Sequence, residues 1–124
     1  MGAVIACIDS DVLIDYFDGI DAAGQELSRY DGVIFSRITW MEVLVSTPAE
    51  ELRKVREDFL RQFSIVELDE RVAREAMALR RQHRLKLPNA IIWASARLHD
   101  ALLVTRNAKD FPIDDPGIRA PYRL

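Results

Sequence analysis

Four oxygen-bearing side chains mark where this chain could do chemistry: Asp9, Glu42, Asn89 and Asp110. Asp9 ends the apolar run Val4-Ile5-Ala6-Cys7-Ile8, Asp110 comes shortly after a second such run, and Glu42 and Asn89 stand in helical patterns. Each has an ordinary reading. Asp9 would N-cap the next helix, Glu42 would close a capping box with Thr39, Asn89 would cap near a helix start, and Asp110 would be a first-turn acid. Brought together, they suit a different task. Crowded carboxylates raise one another's pKa and resist joint ionisation, and a divalent cation removes that cost. Hard oxygen donors without a His or Cys cluster select Mg²⁺ or Mn²⁺ over zinc. His83 and His99 are too far apart for a helical metal pair and read as surface or core-edge residues.

The elements that must position these groups alternate between strand and helix. The first run has the pattern of a strand buried on both faces, as in a parallel sheet covered by helices, where ligands bind beyond the strands' carboxyl ends. Helices are expected over 11–17, closed by Gly19, and over about 22–30; Asp31-Gly32 is a turn and 33–36 a second strand. Next come a helix over 38–45 and another that Thr47, Pro48 and Glu50 should open as N-cap, first and third residues, running to about 62. A third strand over 64–68 leads to Asp69, the cap of a helix with Val72, Ala76, Leu79 and His83 on one stripe. Leu87-Pro88 opens a helix to Leu98, 101–105 is the fourth strand, 107–111 a single helical turn, and 118–120 at most a short edge strand. The order implies a three-layer α/β sandwich with a mainly parallel central sheet flanked by helices. Polar groups follow each strand: Asp9-Ser10, Ser36, Glu67 to Asp69, and Thr105 with Asn107 and Asp110.

Length, 124 residues, predicts one domain, residues 1–124, with enough chain for a real core. The composition, 49% hydrophobic and 30% charged, is that of a soluble globular protein. A net charge of −3 does not exclude a nucleic-acid substrate, because placement decides: of 17 basic residues three are Lys (54, 86 and 109), leaving 14 Arg. Arg80, Arg81 and Arg84 close a helix, where cations suit the dipole; an RNA-binding ridge is the sharper alternative. Trp40 and Trp93 read as packing residues rather than base-stacking platforms. Cys7 is the only cysteine and belongs to the core. The first apolar run is too short for a signal-peptide core or a membrane span, and Ala6 spoils the myristoylation pattern begun by Met1-Gly2. A cytoplasmic location without a membrane anchor is expected.

Four segments carry a family resemblance. Ile8-Asp9-Ser10-Asp11-Val12-Leu13-Ile14, Ser36-Arg37-Ile38-Thr39-Trp40-Met41-Glu42-Val43-Leu44, Leu87-Pro88-Asn89-Ala90-Ile91-Ile92-Trp93-Ala94-Ser95-Ala96 and Leu103-Val104-Thr105-Arg106-Asn107-Ala108-Lys109-Asp110-Phe111 resemble, in order and spacing, the motifs of PIN-domain ribonucleases. Among these the chain looks most like VapC toxins of bacterial VapBC toxin–antitoxin pairs. The resemblance implies a PIN-like fold and metal-dependent endonuclease chemistry. Asp9, Glu42 and Asp110 would be catalytic acids binding Mg²⁺ or Mn²⁺, supported by Ser10, Thr105 and Asn107. It further implies an RNA substrate such as a tRNA or rRNA loop, a homodimer, and a VapB-type antitoxin through which operator DNA is bound. The family's third acid falls at Asn89. Asn keeps an oxygen ligand but gives up the charge and cannot act as a base. It is either a natural variant that still cleaves or a substitution that silences a toxic enzyme.

Two other classes fit less of the chain. Asp9 and Asp11 match the D-x-D of an aspartate-nucleophile phosphatase, with Asp9 attacking and Asp11 as acid, but this leaves Glu42 and Asn89 without roles. A non-catalytic module, such as a receiver domain or an inactive regulatory subunit working through antitoxin and operator, would tolerate Asn89; as receiver residues Asp69 and Lys109 fit poorly.

Overall fold

A computed structural model describes residues 4–124; the Met1-Gly2 reading falls outside them. In chain order the elements are β1 (Ile5–Ile8), α1 (Ser10–Phe17), α2 (Asp21–Leu27), β2 (Gly32–Ser36), α3 (Arg37–Val45), α4 (Glu50–Leu60), β3 (Ser64–Val66), α5 (Glu70–His83), α6 (Leu87–Leu98), β4 (Leu102–Val104) and β5 (Ile118–Arg119). The sheet order is β3-β2-β1-β4-β5, and each neighbouring pair is parallel. The expected sandwich is present, and its sheet is parallel throughout the described residues.

Alternation along β1 explains the layers. Ile5 and Cys7 face the layer of α5 and α6, with Ala90, Ile92, Trp93 and Leu103. Ala6 and Ile8 face the layer built by α1 to α4, with Val12, Leu13, Val43 and Leu60. A strand with both faces covered must be apolar along its whole length, which is why β1 is a continuous run. Gly32 leaves room for the side chain of its partner Ile5: a Cβ there would lie 2.7 Å from the Ile5 Cδ1 atom, the flexible end of that side chain. Cys7 is fully buried, and burial pushes its thiol up to about 12, so it is inert.

Several local expectations give way to tertiary contacts. The helix after Thr47 starts two residues later than its capping signal, with Ala49 at the N-cap. The Thr47 hydroxyl instead donates to the Val43 carbonyl at 2.9 Å and accepts from the Arg56 guanidinium at 2.9 Å. β3 is shorter than expected, because Glu67 turns to Arg37 and Asp69 caps α5 by accepting from the Val72 amide at 2.9 Å. Residues 108–110 form a turn without a helix. Trp93 is 1% exposed and packs against His83, while Trp40 is half-buried beneath the Arg37 guanidinium.

Two buried carboxylates anchor the C-terminal tail. Asp15 on α1 receives two hydrogen bonds from Arg106, 2.7 and 3.1 Å, and one from the Tyr122 hydroxyl, 2.8 Å. Glu26 on α2 is bound in the same way by Arg119, 2.7 and 3.1 Å, and by the Tyr30 hydroxyl. Burial raises the Glu26 carboxyl, but the bonds from Arg119 and Tyr30 outweigh it and hold the group below its usual range. A carboxyl lowered on folding stabilises above its unfolded pKa, and that stability is lost as pH falls through the folded value. Glu26→Gln is therefore expected to melt lower at pH 7, by on the order of 5 °C, the shift that about 1 kcal/mol produces in a domain near this size. The gap should close as the pH falls below about 4.3, the ordinary Glu value. A gap independent of pH in parallel thermal melts would show that charge is not what holds the tail.

Candidate active site

β1 is the topological switch point of the sheet. The chain leaves it through α1 and α2 to β2 on one side and returns through α6 to β4 on the other. Parallel sheets open a crevice beyond the carboxyl ends of the strands at such a point. Asp9 ends β1 there and Thr105 ends β4, the two strands being joined by the Asp9 amide donating to the Val104 carbonyl at 2.9 Å.

Asp9 is 5% exposed. Its Oδ1 accepts from the Ser10 amide at 2.8 Å, so it is the N-cap of α1, and its Oδ2 accepts from the Thr105 hydroxyl at 2.7 Å. Capping and site-building are one arrangement. The Ser10 hydroxyl donates to Glu42 Oε1 at 3.0 Å and lies 3.5 Å from Asp9 Oδ1, so one hydroxyl joins two carboxylates that are 33 positions apart. Glu42 does not close a capping box. Ser36 caps α3 through the Ile38 amide, Thr39 is buried inside the helix with its hydroxyl unpartnered, and Glu42 one turn further on is free to turn toward Ser10.

The other expected groups join through β4. Thr105 also accepts from the Asn107 amide at 3.0 Å, and the Asn107 side chain donates to Asp110 Oδ2 at 3.0 Å while accepting from the Asp110 amide at 3.2 Å. Asp110 is thus tied to Asp9 through two intermediaries and is itself exposed. Asn89 is the third residue of α6 and is half-buried. Because α6 leads into β4 after only three residues, and Ile92 lies against Cys7, its first turn falls on the side where the strands end. Among the described residues no hydrogen bond ties Asn89 to Asp9, Glu42 or Asp110.

Sequence reasoning gave Asp11 a role only in the phosphatase alternative. Its carboxylate accepts from the Arg106 amide at 3.1 and 3.3 Å, and burial with the Asp9 charge pushes it up to about 7 against the pull of Arg106. The D-x-D spacing was the one signal for it. For the Asp15–Arg106 pair there was none, the partners being 91 positions apart.

Burial likewise raises the Asp9 carboxyl; bonds from Thr105 and Ser10 oppose this, and the Glu42 charge adds to it. Asp15 and Glu26, equally buried, each have an arginine. Among the described residues Asp9, Asp11 and Glu42 have no ion pair. An unpaired buried carboxylate beside a second one, with hard oxygen donors throughout, fits a divalent cation of the Mg²⁺ or Mn²⁺ kind. Among the described residues no three His, Cys, Asp or Glu are already gathered closely enough to hold one.

The family model described as PIN domain matches residues 6–112. The chain belongs to the PIN domain family. This PIN domain is similar to a chain of a toxin–antitoxin complex from Klebsiella pneumoniae, at 37% identity and a TM-score of 0.89, covering 98% of this chain and 100% of that one. It shares its fold with a chain of VapBC2 from Rickettsia felis bound to a DNA fragment from their promoter, at 18% identity and a TM-score of 0.76, covering 93% and 96%. The same holds for FitAcB from Neisseria gonorrhoeae, at 21% and 0.72, covering 98% and 100%. No curated protein matches the sequence significantly. Among the described residues no helix of this PIN domain is long and apolar enough to cross a membrane.

If Thr105 holds Asp9 in its working position, Thr105→Val should lower kcat/KM for the reaction at this site roughly 10-fold or more, since a hydrogen bond to a charged group is worth about 1.5–3 kcal/mol. Thr105→Ser should retain most of the rate. Equal rates for the Val form and the parent would remove Thr105 from the site.

Proposed function

We propose that residues 1–124 form a single-domain, metal-dependent endoribonuclease, the toxin of a type II toxin–antitoxin pair. The observation that carries this reading is Asp9: buried, without a cationic partner among the described residues, and sharing the Ser10 hydroxyl with Glu42. The full-length likeness to a chain of the Klebsiella toxin–antitoxin complex supports the biological setting. Asp9 and Glu42, with Asp110 and the Asn89 side-chain oxygen, would hold Mg²⁺ or Mn²⁺, which supplies Lewis acidity toward the phosphate and lowers the pKa of water. Thr105 and Ser10 fix the Asp9 carboxylate, Asn107 fixes Asp110, and the Asp11–Arg106 contact holds the loop after β4 against α1.

The substrate is an exposed loop of a structured RNA such as a tRNA or rRNA, whose splayed bases an enzyme can reach. The partners are a VapB-type antitoxin, through which operator DNA is bound, and a second copy of the chain. The Rickettsia complex, with its promoter fragment, supports the DNA connection. Asn89 favours a second reading, a catalytically weak subunit that acts through antitoxin and operator.

The test is incubation with a cellular RNA pool and end-mapping of the fragments, for the chain as it stands beside Asn89→Asp. Cleavage at discrete sites that needs Mg²⁺ or Mn²⁺ and stops in EDTA is expected. Cleavage indifferent to EDTA, or none from either form, overturns the proposal.

A further inference from the structure

Resting on that nuclease reading, we propose that the connector between α5 and α6 binds the sugar–phosphate backbone of the RNA, with Arg84 and Lys86 as its phosphate-binding side chains. Arg80, Arg84, Leu85 and Lys86 line an open hollow of about 410 Å³. Four cations, Arg80, Arg81, Arg84 and Lys86, fall within seven positions, and among the described residues none of them has an ion pair. Arg97, in the last turn of α6, by contrast pairs with Glu75. Arg80 organises the hollow: its guanidinium donates to the Leu85 carbonyl at 2.8 Å, pinning the connector to the last turn of α5. Arg84 holds the left-handed conformation, φ 56° and ψ 38°, at a position where glycine would be cheaper. Lys86 stands at the N-cap of α6 without making a capping bond.

Place and charge identify the ligand. Lys86 precedes Asn89 by three residues on the helix that carries Asn89 to the carboxyl-end side of the sheet. Asp9, Asp11 and Glu42 repel a polyanion, so a phosphate chain must be held by cations beside them. Uncompensated cations clustered at the start of α6, on the same side of the sheet as the acidic centre, match a strand of phosphates running toward that centre.

The experiment measures binding without cleavage. A labelled RNA hairpin is titrated in EDTA at several salt concentrations with the parent and with Arg84→Asn/Lys86→Gln. Asn is chosen at position 84 because it tolerates the left-handed conformation. Equal melting temperatures establish that the variant is folded. A roughly 10-fold rise in Kd is expected, and a salt slope smaller by about 1.4, about 0.7 for each single-strand phosphate that the variant no longer neutralises. Unchanged Kd and slope, with a parent that binds, overturn this inference alone. A parent that binds no RNA overturns the nuclease reading as well. Loss of poly-glutamate binding with RNA binding intact would reassign the hollow to an acidic protein segment and overturn the proposal.

Discussion

Asn89→Asp is expected to cleave RNA at least roughly 10-fold faster than the chain as it stands, because even the hydrogen-bond partners of metal ligands alter affinity or activity by about 10- to 100-fold. The two side chains have nearly the same shape, so the change adds one negative charge and little else. The gain should take a particular form. A charged oxygen binds a hard cation more tightly than an amide oxygen does, so the Mg²⁺ concentration giving half-maximal rate should fall along with the rise in rate. Because residue 89 is the third of α6, an acid there also favours the helix dipole, by about 0.3–1 kcal/mol. Melting temperatures must therefore be measured with the rates, and a small rise in stability does not explain a tenfold rise in turnover. Titrating Mg²⁺ in initial-rate assays on the same RNA checks both parts. If Asp and Asn forms cleave alike, with the same metal midpoint, position 89 is not a ligand.

Asp9→Asn should act in two opposite directions. Cleavage is expected to fall at least roughly 100-fold, since the variant loses the charge around which Ser10, Thr105 and Glu42 are arranged. In EDTA the variant should nevertheless melt higher than the parent. The parent must bury a carboxylate that has no cationic partner among the described residues, which costs folding free energy, whereas the amide is neutral and can still accept from one of the two hydroxyls or the amide that surround it. Mg²⁺ or Mn²⁺ should then reverse the order. A ligand that binds only the folded state stabilises by about 2.7 kcal/mol at a concentration 100 times its Kd. That stabilisation should appear in the parent and be absent in Asp9→Asn. Differential scanning fluorimetry across a metal titration decides the matter; equal ion-induced shifts in the two proteins would place the cation elsewhere.

Much of this site is written in local sequence, and the unwritten part has a definite character. The uninterrupted apolar run before Asp9 announces a strand covered on both faces, and a polar residue directly after such a strand must emerge at its carboxyl end. Asp9, Thr105 and the Asn107–Asp110 turn were legible on that basis. Glu42 was less so. Its spacing from Thr39 satisfies a capping rule, yet Ser36, three residues earlier, takes the cap, and Glu42 becomes the acid that faces Ser10. The same competition shifted the start of α4, where the Thr47 hydroxyl bonds the Val43 carbonyl and the Arg56 side chain instead of an amide of the first turn. A side chain with two possible partners takes the one that the packed chain brings within reach, and sequence records only the nearer.

Periodicity and strand-ending polar residues by themselves determined the class of fold, the edge of the sheet at which chemistry is possible and most of the oxygen donors there. Tertiary structure alone decided that Ser10 bridges Asp9 and Glu42, that Asp15 and Glu26 are neutralised by arginines from the far end of the chain while Asp9 is not, and that Asp11 rests on the Arg106 amide. The physical reason is range. Strand and helix patterns express interactions over a few residues, whereas the charge state of a buried carboxylate depends on which cations lie within a few ångströms, and here those come from 91 and 93 positions away.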